Sequence, residues 1–265
     1  MRKINIFTND TVLSKDTKKL LKRKLEKSDF IVPREFTPDA ELIICIGGDG
    51  SFLETLHRFN FPDIPFIGIN TGHLGFFQEL HPDDLDEFIF RYKQGRYEIQ
   101  HLKTVKAVVT ASDGRHEYIG LNEILIKGEK SRAIHLNISI GDSFIERFSG
   151  DGILVSTPAG STAYNYSLGG SIVDPRLNLL QVTPLAPMNT TAYRSFTSSI
   201  ILPPDLSIRI NPEYSGEEGL LIVPDSMEHL HEGVEEIYLE FSSFIVKLLR
   251  FENYDFWSKV KSKFL

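Results

Sequence analysis

Glu41-Leu42-Ile43-Ile44-Cys45-Ile46-Gly47-Gly48-Asp49-Gly50-Ser51 is an apolar run that ends in a glycine turn holding one carboxylate. The run is short and rich in branched side chains, the composition of a strand buried on both faces of a parallel sheet. Beyond the turn, Phe52, Leu53, Leu56 and Phe59 recur at helical spacing. They predict a helix over residues 51–59, with Ser51 placed to satisfy free amides at its start. Strand, tight turn and helix bring bare backbone N–H groups and a helix N-terminus to one point, and that point attracts phosphate. An aspartate there repels phosphate unless it handles a proton or a metal, so Asp49 reads as a chemical residue. The plainer alternative is a turn in which Asp49 only caps the helix. The turn lacks both the Gly-x-x-x-x-Gly-Lys-Ser/Thr and the Gly-x-Gly-x-x-Gly patterns, which argues against a P-loop ATPase and a dinucleotide-dependent dehydrogenase.

Outward from this turn, strand-like and helix-like runs alternate over residues 4–7, 15–27, 41–46, 51–59, 65–70 and 82–92. That alternation predicts an α/β domain with a parallel sheet over residues 1–95. The glycine turns after Ile46 and after Ile69 then leave the same edge of the sheet, where open α/β sheets bind ligands. Past Gln94-Gly95-Arg96 the texture changes to short β-rich segments at 101–111, 117–121, 133–140, 143–148, 199–202, 206–210, 220–223 and 236–240. These predict an all-β, sandwich-like domain over residues 96–250. Residues 251–265, with Trp257 and Phe264 among charges, predict a C-terminal helix that returns to the first domain or lies on the surface.

With 265 residues, 41% of them hydrophobic, the chain is long enough for two cores. A net charge of −7 and the lack of a dense basic run beyond residues 18–27 disfavour a nucleic-acid interface. The one cysteine, Cys45, lies inside the apolar strand, and no leader or membrane-length apolar run is present, which predicts a cytoplasmic protein with no membrane contact. No Cys/His spacing supports a structural zinc site.

Several segments of the second part are more polar than a sandwich needs. Leu121-Asn122-Glu123 sets an amide beside a carboxylate at a strand end, a pair suited to ribose hydroxyls or to an ordinary turn. Gly150-Asp151-Gly152 is a weak signal by itself. Ser156-Thr157-Pro158-Ala159-Gly160-Ser161-Thr162-Ala163-Tyr164-Asn165, followed by Ser167-Leu168-Gly169-Gly170, combines small residues, a tyrosine face for a planar base and the donors and acceptors of Asn165. Together with Gly68-Ile69-Asn70-Thr71-Gly72-His73-Leu74-Gly75-Phe76, these segments stand in the order seen in NAD kinases, which the chain resembles from about residue 42 to Ala186 and more faintly beyond.

The resemblance implies phosphoryl transfer from ATP, with Mg²⁺ on the triphosphate, to the 2′-hydroxyl of the adenosine ribose of NAD, bound between the two domains. It makes Asp49 the general base and Gly47, Gly48, Gly50 and Ser51 the phosphate turn. Asp49, Gly50, His73, Phe76 and Phe77 would border the dinucleotide from the first domain, the two phenylalanines flanking adenine or packing in the core. Asn122 and Glu123 would meet ribose hydroxyls. Ala159, Thr162, Ala163 and Tyr164 would receive adenine and its neighbours, with Asn165, Tyr166 and Ser167 just beyond. Asp151, Ala186 and Asp225 complete the implied NAD-binding set, Asp151 from a neighbouring subunit, since such kinases are homo-oligomers and often tetramers. The chain departs from the pattern at Ser149, where relatives can carry arginine, at Tyr166, often lysine, at Ser51, commonly threonine, and at Ser226, often glycine. Two rival readings remain at this level: a diacylglycerol- or sphingoid-type lipid kinase using the same turn, and an NADP(H)-binding sensor without turnover.

Overall fold

The structure, a computed structural model, describes residues 2–72, 75–130, 132–191, 194–213, 219–252 and 254–264. In chain order it opens with β1 (Arg2–Thr8), α1 (Val12–Lys27), β2 (Phe30–Ile31), β3 (Leu42–Gly47), α2 (Asp49–Arg58), β4 (Phe66–Asn70), β5 (Gln78–Leu80) and α3 (Leu85–Lys93). There follow β6 (Glu98–Ala111), β7 (Gly114–Gly120), β8 (Glu123–Gly128), β9 (Ile134–Ile140), β10 (Ser143–Gly150), β11 (Gly152–Ser156) and the one-turn α4 (Tyr164–Ser167). The chain closes with β12 (Leu180–Leu185), β13 (Ile200–Leu202), β14 (Ile208–Glu213), β15 (Leu220–Pro224), β16 (His229–His231), β17 (Glu236–Arg250) and α5 (Phe256–Phe264). Two compact units result: Met1–Leu102 with Ile245–Leu265, and Lys103–Phe244.

In the first unit, β1 pairs in parallel with β2 and β3, and β3 with β4. Leu42, Ile44 and Ile46 of β3 join a core with Leu21 and Leu25 of α1 and Phe88 of α3, while Ile43 and Cys45 are buried on the opposite face. Burial on both faces is why this strand reads as a continuous apolar run. Burial also pushes the Cys45 thiol up to about 12 and leaves it unreactive at neutral pH. Gly47 lies opposite Asn70 in the β3–β4 register, so the two glycine turns leave one edge of the sheet. The helix after the first turn begins two residues earlier than its apolar spacing predicts. Gly48 is the N-cap, without a side-chain cap, and Asp49 is the first helical residue. Ser51 therefore caps nothing; its side chain sits where a Cβ on Gly47 would fall.

The second unit is a sandwich. One sheet runs β13-β12-β11-β8-β15-β16, and every pairing in it is antiparallel. The other layer contains β10, β9, β14 and the first part of β17, with β7 against β6. Ile124, Ile126, Ile153, Val155 and Ile222 from the first sheet share a core with Leu136, Ile138, Ile208, Ile210 and Leu239 from the second. The alternate residues Leu125, Leu154 and Val223 point to the outer face, where Leu168 packs on them. Period-two alternation thus covers one face with the partner sheet and the other with the small-residue segment around α4. Among the described residues no helix is long and apolar enough to cross a membrane.

Candidate active site

Asp49 is held by backbone, not by the helix it starts. The Phe76 N–H donates to its Oδ2 at 2.9 Å and the Phe77 N–H to its Oδ1 at 3.0 Å. Each carboxylate oxygen has two lone pairs, so one on each stays available to a hydroxyl. The fit depends on Gly75, where a Cβ would overlap both Asp49 Oδ1 and Gln78 Oε1. Gly47, at φ +153°, has no room for a side chain because Ser51 fills it. A Cβ on Gly48 or Gly50 would instead meet nothing within 4 Å, so the protein's own packing does not require glycine at either position. Bare amides at a helix N-terminus, beside open space, suit an approaching anion.

The C-terminal helix α5 supplies the cations of this cluster. Lys263 Nζ is 3.9 Å from Asp49 Oδ2 and 4.8 Å from the centre of the Phe76 ring. Lys259 Nζ donates to the carbonyls of Gln78 and, at 3.4 Å, Phe76. Burial, followed by the charge of Arg250, lowers the Lys259 amine to about 8. Arg250 is itself buried: Nη1 donates to Glu79 Oε2 at 2.9 Å, Nη2 to the Phe76 carbonyl at 3.1 Å and Nε to Gln100 Oε1 at 2.9 Å. The rings of Phe76 and Phe77 are buried within this unit. Phe76 lies near Phe256 and Phe264, and Phe77 stacks on Phe52 at 4.8 Å between centres. Their backbone amides, more than their rings, face Asp49.

In the second unit, Asp225 organises the start of β8. Its carboxylate accepts from the N–H groups of Leu121 and Asn122, each at 2.7 Å, and of Glu123 at 3.3 Å. It reaches them from a left-handed backbone at φ +45°. Asn122 and Glu123 are buried, and Asn122 Oδ1 and Glu123 Oε2 have no hydrogen-bond partner among the described residues. Burial, with Asp225 nearby, raises the Glu123 carboxyl to about 8. The small-residue segment is fastened to this strand end: Thr157 Oγ1 donates to the Leu121 carbonyl at 2.6 Å, the Thr157 N–H to the Asn122 carbonyl at 2.9 Å, and Gly160 passes where a Cβ would strike that same carbonyl.

Ala159 and Thr162 lie in a single 3-10 turn that leads through Ala163 into α4. Tyr164 and Tyr166 are exposed at 42% and 41%, and Ser167 is exposed beside them. Asn165 differs from expectation. It is fully buried, its Nδ2 donates to the carbonyls of Ser161 and Ser171 and its Oδ1 accepts from Thr183 Oγ1 at 2.7 Å, so its amide is used by the fold. Asp151 and Ala186 are both exposed, and Ala186 has φ +45°. Ser149 is buried and exchanges hydrogen bonds with Ser195, which puts no charge at that position. His73 lies outside the described residues.

Two family models match the chain: the ATP-NAD kinase N-terminal domain over residues 8–97 and the ATP-NAD kinase C-terminal domain over residues 121–248. A NAD kinase of Finegoldia magna is 37% identical over 266 residues, 99% of this chain and 97% of that protein. The chain belongs to the NAD kinase family. Its fold is also that of two solved structures. Yeast NADH kinase complexed with NADH has a TM-score of 0.86 at 20% identity, covering 98% of this chain and 86% of the other. An NAD kinase from Archaeoglobus fulgidus in complex with ATP has a TM-score of 0.78 at 23% identity, covering 99% of both chains. Family membership displaces the lipid-kinase alternative.

Several residues that shape these NAD kinase family clusters escape a reading by sequence. Gly75 is visible in its motif, but its task of making room for Asp49 is set by a fold across the sheet edge. Lys259 and Lys263 are four apart on α5 behind the buried Phe256 and Val260, a pattern that marks an amphipathic helix and nothing about where its cations go. Arg250 and Gln78 carry no local signal.

Proposed function

We propose that the protein transfers the γ-phosphoryl group of ATP to the 2′-hydroxyl of the adenosine ribose of NAD, giving NADP and ADP, with Asp49 as general base. The observation that carries this reading is a carboxylate aimed by two backbone amides at the start of a helix, flanked by glycines whose open side the protein does not fill. The 2′-oxygen forms the new bond to the γ-phosphorus, the bond from that phosphorus to the β-phosphate oxygen breaks, and the hydroxyl proton passes to Asp49. Transfer of this kind depends on positioning and charge neutralisation, which the Gly48 and Gly50 amides and the α2 N-terminus favour. With the free lone pairs of Asp49 turned to the hydroxyl, a divalent cation would be held mainly by the triphosphate. Bound Mg²⁺ would neutralise charge on the phosphates.

In the second unit, the unpartnered acceptors Asn122 Oδ1 and Glu123 Oε2 suit the donors of a ribose, and exposed Tyr164 offers a ring face to a base. Exposed Asp151 and Ala186 lie at the other end of β11 and β12 from Glu123, where Asp151 would reach the dinucleotide of a neighbouring subunit. The strain at Ala186, a non-glycine residue at φ +45°, often accompanies a ligand contact. We read the protein as a cytoplasmic homo-oligomer, consistent with its inert, buried single cysteine.

The test is NADP formation from NAD, ATP and Mg²⁺ by wild type and Asp49→Asn, with nucleotide binding measured in parallel. Asparagine must turn an NH₂ toward one of the two amides that aspartate accepts, so a lowered Tm from one lost hydrogen bond is expected, about 1–3 kcal/mol. Turnover should fall by at least about 100-fold with NAD binding retained. A variant with near-normal turnover removes Asp49 from the role of base. NAD binding without NADP formation by the wild type would make the protein a sensor.

A further inference from the structure

The hairpin between β6 and β7 turns at Ser112-Asp113, since Ala111 pairs with Gly114. Ser112 fixes that turn to the end of β16 by donating its N–H, at 3.4 Å, and its Oγ, at 2.9 Å, to the Glu232 carbonyl. The neighbouring Gly233 is at φ +59°, and a Cβ there would press on Ser112. This docking brings Asp113 and His116 of the hairpin to His231 of β16. Asp113 Oδ1 is 3.0 Å from His116 Nε2 and 3.9 Å from His231 Nδ1, and the three potential ligand atoms lie within 4.8 Å of one another.

His231 gives the cluster its direction. Its side chain is 5% exposed, and its Nδ1 is buried with no hydrogen-bond partner. Its other nitrogen, Nε2, is 2.6 Å from the Tyr118 hydroxyl, which fixes the ring. Tyr118 and His116 are two apart on β7 and so share a face. A buried imidazole oriented through one nitrogen, with the other facing a carboxylate and a second imidazole, is the second-shell arrangement of a metal-binding histidine.

We propose that Asp113 Oδ1, His116 Nε2 and His231 Nδ1 form a site for a borderline divalent transition ion, zinc by its chemistry, with water completing the coordination on the exposed side. Ligands about 2.0–2.2 Å from a tetrahedral zinc stand roughly 3.3 Å apart. The two measured separations straddle that value. Asp113 and His116, at 62% and 33% exposure, are free to close the rest. Two imidazoles and one carboxylate disfavour Mg²⁺, which prefers an oxygen shell. The ion would clamp the hairpin to β16.

The test uses untagged full-length protein stripped with chelator and dialysed against zinc. The wild type should take up one zinc per chain, gain thermal stability with zinc and, loaded with Co²⁺, show the visible absorption of a tetrahedral site. His116→Ala and Asp113→Asn change half-exposed side chains that no core needs, and each should weaken zinc binding by about 100-fold or more. His231→Gln should do the same and abolish the cobalt spectrum. A wild type without bound zinc at micromolar free ion, or both half-exposed variants binding as it does, overturns the proposal.

Discussion

The polar clusters of the two units are built on opposite terms. In the first, every buried charge has met its complement: Arg250 donates to Glu79, Gln100 and a carbonyl, Lys259 donates to two carbonyls, and Asp49 accepts two amides with Lys263 nearby. In the second, two carboxylates and an amide gather at the start of β8. Asp225 is satisfied by amides, but Asn122 Oδ1 and Glu123 Oε2 stay unpartnered and Glu123 resists ionisation. Paired charges hold a carboxylate still, although the buried Gln78 amide beside Asp49 has no hydrogen-bond partner among the described residues. An unsaturated cluster is completed by a ligand that brings donors, and unligated it costs stability.

The largest break in this contrast is expected at Gly75. Gly75→Ala puts a methyl group into the space of the Gln78 amide and of the Asp49 carboxylate, which two backbone amides hold from the far side. Asp49 must then leave one of its amides. A displacement of about 1 Å at a reacting group costs on the order of 100-fold, so kcat for NADP formation should fall by that factor while far-ultraviolet circular dichroism stays unchanged. Retained kcat would mean that the first cluster is looser than its hydrogen bonds imply.

The second cluster is sharpened through pH. The folded chain keeps Glu123 protonated to about pH 8, whereas the unfolded chain ionises it near 4.5. Between those values the folded state holds the extra proton. The benefit is complete below about pH 4.5 and is lost as pH rises through 8, an upper bound of about 5 kcal/mol. Glu123→Gln removes that dependence: measured by urea unfolding without ligand, the variant should lose less stability than wild type between pH 5 and 8.5. Lys259 works the other way, because its lowered value makes stability rise between about pH 8 and 10.5. Parallel pH profiles for wild type and Glu123→Gln would show that the carboxyl is solvated after all.

How much of this could be read in the residues follows the range of the interactions. The strand, turn and helix around Asp49 are legible because glycine, β-branching and helical spacing are local signals, and only the helix start shifts, from Ser51 to Asp49. The sandwich is legible through strands such as β6, β9 and β14, but β8, β11 and β12 are buried on both faces over most of their length and so carry no period-two signal, and β16, three residues long, is too short to announce itself. Asn165 looks like a ligand group in sequence because its amide is polar. Its burial under Gly170 and Thr183 appears only when the chain has folded back. The Asp113, His116 and His231 cluster has no metal-like spacing, since the third residue is brought in from far along the chain by the docking of the hairpin turn on Glu232. Arg250 and Lys259 reach the Asp49 loop for the same reason.

The smallest effect is expected within the second cluster, where two neighbouring residues of one turn differ in what holds their backbone. Asp225 and Ser226 both have left-handed φ, +45° and +73°. At Asp225 the strain is offset by three amide hydrogen bonds that no glycine would make. Ser226 is exposed and its side chain makes none of the bonds that define the site. A left-handed conformation costs an L-residue about 1–2 kcal/mol, while glycine's added freedom in the unfolded chain takes back about 0.4–1 kcal/mol. Ser226→Gly should therefore stabilise the protein slightly, by up to about 1 kcal/mol in urea unfolding, with NAD affinity unchanged. A loss of affinity in that variant would show that the turn's stiffness, and not only the Asp225 carboxylate, sets the position of Asn122 and Glu123.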